Sequence, residues 1–140
     1  MATLTRGYGS MSPELMTIER DDDIILYASI NLNIENNNGI YEWDAIVLPE
    51  HALNEIHKAD KDTKYSVLIA HIVKAYYNDH QMSAIVNNYI MDTEDEDHKA
   101  EFLEMQRIRK LAKDTAKQII RYNIFNKNYF SFTIVFIPSN

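Results

Sequence analysis

The chain contains no cysteine. Disulfide scaffolds, thiolate zinc sites and cysteine nucleophiles are therefore excluded. Glycine and proline number three each in 140 residues. That is too few for a collagen-like or low-complexity chain. It is also too few for a phosphate-cradling loop, because Gly7 and Gly9 both fall near the start. No apolar run reaches the ~18 residues that span a bilayer. The most apolar stretch, Tyr129 to Ile137, has a strand's length and is interrupted by Ser131 and Thr133. A secretory signal is not read either, since Arg6, Glu14, Glu19 and Arg20 punctuate the opening segment. H-E-x-x-H, G-x-S-x-G and a D-x-D-x-D-G calcium loop are all missing. Fourteen Lys and Arg face 21 Asp and Glu, for a net charge of −7. That balance disfavours nucleic acid and anionic membrane as partners.

What is present is ordinary for one globular domain: 46% hydrophobic and 25% charged residues. Residues 1–13 read as a flexible N-terminal arm, because Gly7, Gly9, Ser10, Ser12 and Pro13 break any period. Residues 14–121 read as a single α+β domain, and 122–140 as an apolar C-terminal extension or strand. A short strand is expected over 15–20, then a solvated turn at Asp21, Asp22 and Asp23. Leu26, Ala28, Ile30, Leu32 and Ile34 alternate with polar residues, so one face of a strand is buried. Asn38-Gly39 then predicts a two-residue hairpin turn and a return strand over Ile40 to Leu48. That turn would place Ile34 opposite Trp43, Leu32 opposite Ala45 and Ile30 opposite Val47 on the buried face. Asn33 would face Asp44 on the wetter side, and Glu35 would meet Glu42 near the tip.

Pro49 ends that strand and introduces a short helix from Glu50 to Lys58, with Ala52, Leu53 and Ile56 inward. After a linker over 59–63, Tyr65, Leu68, Ile69, Ile72, Val73 and Tyr76 recur at helical steps. Asn78 or Asp79 caps a further helix with Met82, Ile85, Val86, Tyr89 and Ile90 as its stripe. A last, long helix starts near Asp92 or Thr93 and runs to about Arg121. Its stripe is Phe102, Met105, Ile108, Ala112, Thr115 or Ala116, and Ile119. Its charges are sorted, acidic at the start and basic at the end, as the helix dipole favours. Phe130, Phe132, Ile134 and Phe136 alternate as in a strand that needs cover.

The candidate chemistry is sparse. The acidic run Asp92, Glu94, Asp95, Glu96, Asp97 with His98 invites a cation, yet consecutive helix residues point around the cylinder rather than at one ion. It reads as a solvated first turn. No two of the five histidines have zincin spacing. Asp44 with a neighbouring carboxylate could serve as an acid–base pair, but no nucleophile, base and oxyanion set accompanies it. No cofactor, metal or catalytic residue is expected. The candidate partner surface comprises Asn87 and Asn88, poor helix formers in mid-helix, the cations Arg107, Arg109, Lys110 and Lys113, and the tail aromatics Phe130, Phe132 and Phe136.

Residues 43 to 120 carry a hairpin ending in proline, then a helix. There follow Tyr77, Asp79, Gln81, Ala84, Ile85, Asn87, Asn88 and Tyr89, and then His98, Glu101, Phe102, Gln106, Arg109, Ala112 and Lys113. In these features the chain resembles small uncharacterised proteins encoded by bacteriophages and prophages of gut bacteria. The resemblance implies a phage-like origin and no particular activity. The expected architecture is α+β: an antiparallel, hairpin-based sheet, with a C-terminal strand as a candidate addition, packed against three to four helices. The expected function is a non-catalytic protein–protein interaction or virion-associated role, with a protein partner or a second copy of the chain. The alternative is a regulatory or inhibitory binder of a host or nucleic-acid-associated protein. The expected location is the cytoplasm of the producing cell or the virion.

Overall fold

A computed structural model describes residues 2–121 and 134–135. The strands are β1 (Thr3–Gly9), β2 (Met16–Asp21), β3 (Ile24–Asn37) and β4 (Ile40–Pro49). Four helices follow, α1 (Glu50–Lys58), α2 (Lys61–Tyr76), α3 (Asp79–Met91) and α4 (Glu96–Arg121), and then a two-residue strand, β5 (Ile134–Val135). The sheet runs β1-β4-β3-β2-β5 and every pairing in it is antiparallel. The fold is α+β, with a long last helix, as the sequence implied. The apolar tail contributes β5, which pairs with β2 through Met16–Val135 and Thr17–Ile134. Phe130, Phe132 and Phe136 lie outside the described residues.

The N-terminal arm is a correction. Thr3 to Gly9 form the edge strand β1, in register with β4 from Thr3–Val47 to Gly9–Tyr41. Its glycines are not breakers here. Gly7 sits directly opposite Trp43, and a Cβ built on it would overlap the indole ring at Cε2 and Nε1. Gly9 is less crowded, with a built Cβ 3.3 Å from Cη2 of the same ring. The two glycines are the bare backbone on which the chain's one tryptophan lies, which is how a strand accommodates a large neighbour. The ordered body therefore begins before residue 14.

The β3–β4 hairpin turns at Asn38 and Gly39, both at positive φ (54° and 87°), as an Asn-Gly turn requires. Near the tip the expected register holds, with Asn37 opposite Ile40 and Glu35 opposite Glu42. Between Leu32 and Glu35 it shifts by one residue, so that Asn33 and Ile34 together oppose Trp43. Asn33 carries φ 52°, a left-handed conformation that asparagine tolerates better than most residues. Ala28, Ile30 and Leu32 of β3 are buried as expected, but this β-bulge overturns the inner face predicted for β4. Ile30 now faces Ile46 and Ala28 faces Leu48, and all four have no exposed surface. Trp43, Ala45 and Val47 alternate with these residues and lie on the opposite side of the sheet. The bulge lets one strand bury Ile46 and Leu48 under the helices while Trp43 covers β1.

The core joins Met16, Ile18, Ala28, Ile30, Leu32, Ile46 and Leu48 of the sheet to residues of three helices. These are Ala52, Leu53 and Ile56 of α1, Leu68, Ile72 and Val73 of α2, and Ala112, Ala116 and Ile119 of α4. Burying each large aliphatic side chain contributes about 1.5–3 kcal/mol before ordering costs. Helix starts are chemically marked. Pro49 occupies the N-cap of α1. The Asp60 side chain accepts from Thr63 N–H at 2.8 Å, so α2 starts inside the segment expected to be a linker. Asn78 and Gln81 form a reciprocal capping box at α3. α4 begins at Glu96 rather than Asp92, because Asp95 accepts from His98 N–H at 3.0 Å and caps it. Its 26 residues extend about 39 Å at 1.5 Å each.

Candidate functional site

Two places on the molecule gather polar or unpartnered side chains. The first is the helix-facing side of the bulge. Asp44 of β4 receives three hydrogen bonds there. Arg6 Nη1 of β1 donates to Oδ1 at 2.8 Å, while Asn33 Nδ2 and the Tyr76 hydroxyl donate to Oδ2 at 2.8 and 2.6 Å. Asn33 also donates to the Tyr76 oxygen at 3.2 Å and accepts from Arg107 Nη1 of α4 at 3.2 Å. Arg107 is itself clamped by Glu104, with Nη2 2.6 Å from Oε1. Arg6 reaches Glu35 at 3.7 Å, which offsets the like-charge pairing of Glu35 with Glu42. Three strands and two helices thus meet in one continuous chain of bonds.

The electrostatics follow from the geometry. Burial alone would raise the Asp44 pKa, but the bonds from Asn33, Tyr76 and Arg6 outweigh it and hold the carboxyl below its ordinary value. Burial, and then the Asp44 carboxylate that accepts its hydrogen bond, push the Tyr76 phenol well above its ordinary value. Asp44 is therefore ionised and Tyr76 neutral at physiological pH. An open cleft of about 430 Å³ lies beside them, lined by Arg6, Asn33, Ile34, Glu35, Asp44 and Arg107. Arg6, Asn33, Tyr76 and Arg107 each donate at least one hydrogen bond within the network. The arrangement suits a latch between sheet and helices better than an acid–base pair. The sequence register placed Asn33 beside Asp44. It did not find Arg6, Tyr76 or Arg107, for which the one signal was a tyrosine closing the α2 stripe.

The second place is the α3–α4 hairpin. α3 carries the predicted apolar stripe, yet it has no buried residue. Met82, Ile85, Val86 and Tyr89 are half-buried, and Ile90 is 67% exposed. Expecting Ile90 on the inner side is corrected accordingly. α3 is held to α4 by a stack of Tyr89 on Phe102, with ring centroids 4.3 Å apart and planes 11° from parallel. Further along, Met82, Ser83, Val86 and Asn87 of α3 and Met105 and Arg109 of α4 enclose an open groove of about 300 Å³. Met91 is 87% exposed at the tip and Leu103 of α4 is 56% exposed.

The predicted partner residues divide between these features. Asn87 and Arg109 both line the groove. Asn88 is exposed and lies one position beyond it. Arg107 belongs to the latch, and Lys110 pairs with Asp114 at 2.9 Å. Lys113 is exposed. Arg109 and Lys113 form no ion pair among the described residues. In the acidic run, Asp92 accepts from Glu94 N–H at 3.1 Å and Asp95 from His98 N–H. That second bond holds the Asp95 carboxyl below its ordinary value. Among the described residues, no three His, Asp or Glu side chains are grouped to hold a metal ion, and no helix is long and apolar enough to cross a membrane. Comparison with known protein families, with curated proteins and with solved structures found no match.

Proposed function

We propose that this protein is a non-catalytic, protein-binding component of a phage-like element, and that the α3–α4 hairpin is its contact arm. One observation supports the reading: a thirteen-residue helix with an apolar stripe buries none of its residues, and leaves Ile90 and Met91 to solvent. An amphipathic helix is normally stabilised by packing its apolar face. A helix left half-packed, and capped at its start by a complete capping box, has the form of an element kept rigid for another surface. The phage-like origin rests on the resemblance of residues 43 to 120.

The test is site-specific photo-crosslinking in the producing cell. A photoreactive residue replaces Met91 in one variant and Asn54, exposed on α1, in another. The expected result is discrete covalent adducts from position 91 that position 54 does not give. No adduct at position 91, or the same adducts from both positions, refutes the reading.

A further inference from the structure

We infer that the occupant of the α3–α4 groove is the same hairpin of a second copy, docked antiparallel about a two-fold axis to form a four-helix bundle. The inference rests on the hairpin being the contact arm. It starts from spacing. Ser83, Val86, Asn87 and Ile90 recur at three- and four-residue steps, so they share one face of α3. Three of them line the groove, and Ile90 continues that face to the tip. The face is apolar at Val86 and Ile90, polar at Ser83, and has an amide at its centre.

Charge selects the orientation. The tip is acidic, with Asp92, Glu94, Asp95, Glu96 and Asp97 interrupted only by Thr93. At the groove's far end Arg109 stands with no ion pair among the described residues. Parallel docking would set tip against tip and repel. Antiparallel docking sets each acidic tip beside the other copy's Arg109, twice by symmetry. The register then follows from one placement. The Tyr89–Phe102 stack sets Met82 level with Arg109 and Val86 with Met105 across the groove, so a two-fold passing at Asn87 brings Ile90 level with the second copy's Ala84, between its Ser83 and Val86. The same operation brings the second copy's acidic turn level with Arg109. Asn87 meets its own counterpart on the axis. A paired amide at the centre of an apolar seam fixes register and strand number in helical assemblies. Asn87 is otherwise a poor choice for a helix interior.

The experiment uses the full chain. Light scattering on a sizing column is run over a concentration series, with circular dichroism to confirm folding. A dimer is expected. Ile90→Asp, at a position exposed within one copy, should raise the dimer dissociation constant about tenfold or more without loss of helix. Arg109→Glu and Glu94→Arg should each weaken the dimer, and the two together should recover it. A monomer at every concentration, a dimer indifferent to Ile90→Asp, or charge variants that do not compensate overturns the inference. A monomer that still gives adducts with a different protein from position 91 overturns the homodimer and leaves the contact-arm reading standing. A monomer without adducts removes both.

Discussion

Replacing Tyr76 by Phe removes one oxygen and leaves the ring's apolar contacts in place. That oxygen donates to Asp44 Oδ2 at 2.6 Å and accepts from Asn33 Nδ2 at 3.2 Å. A hydrogen bond to a charged acceptor contributes about 1.5–3 kcal/mol. The Asp44 side chain retains 19% exposure, so water partly replaces the lost donor and the lower half of the range applies. The expected destabilisation is about 2 kcal/mol, or ~6 °C in Tm for a domain of this size. The variant also alters the acid limb. Asp44 has a lowered pKa in the folded chain, so its contribution is complete above the ordinary carboxylate value and is lost as pH falls through the folded value. Losing the Tyr76 donor raises the folded pKa toward the unfolded one. Stability should therefore depend less on pH below about 4 in Tyr76→Phe than in the parent. Urea unfolding at pH 7 and at several values between 2 and 5 measures both effects. A loss below ~0.5 kcal/mol at pH 7, within the range of ordinary surface changes, together with an unaltered acid limb, would show that the Asp44 network does not latch the helices to the sheet.

Three further outcomes are expected. Gly7→Ala drives a Cβ into the indole of Trp43, so it should cost about 1–3 kcal/mol and change the emission of the chain's single tryptophan; unchanged fluorescence and stability would refute the packing. At Asn33, where φ is 52°, Gly should be tolerated better than Ala by about 1 kcal/mol, because both lose the amide but only Gly accepts the backbone freely; thermal unfolding of the pair decides. Asn78→Ala breaks the capping box of α3 and should cost about 1 kcal/mol, seen most directly as faster amide exchange at Gln81 and Met82.

The helices were legible because their patterns are local. Ala52, Leu53 and Ile56 are buried in α1 as their spacing implies, and so is the α4 stripe from Met105 to Ile119. The β3–β4 turn was equally plain, since Asn38-Gly39 encodes its own geometry. What escaped depends on contacts between distant segments. Period two gives the faces of a strand but cannot show that one extra residue at Asn33 exchanges them. The strand β1 has little apolar pattern of its own, and its glycines make sense only beside Trp43, 36 positions away from Gly7. The latch joins Arg6, Asn33, Asp44, Tyr76 and Arg107, and no spacing along the chain links five such residues. The exposure of Ile90 escaped for a related reason: a stripe shows which face is apolar, not whether anything covers it.

The pairing of β1 with β4 also sets an order of events. Thr3 must find Val47 and Gly9 must find Tyr41, whereas β3 and β4 meet across a two-residue turn. The hairpin closes with little loop entropy, while β1 closes a loop of more than thirty residues and gains no partner until that hairpin stands. At ~5–20 residues per second, translation leaves β1 waiting about 2–9 s for the whole of β4. β1 is thus made before β4 but placed only after it, and Arg6 can reach Asp44 only once β4 has presented it. For those seconds Thr3 to Gly9 is a free edge-strand sequence whose two glycines and one arginine give it little tendency to pair elsewhere. The composition that hid β1 in the sequence is also what keeps it unpaired until its own partner exists.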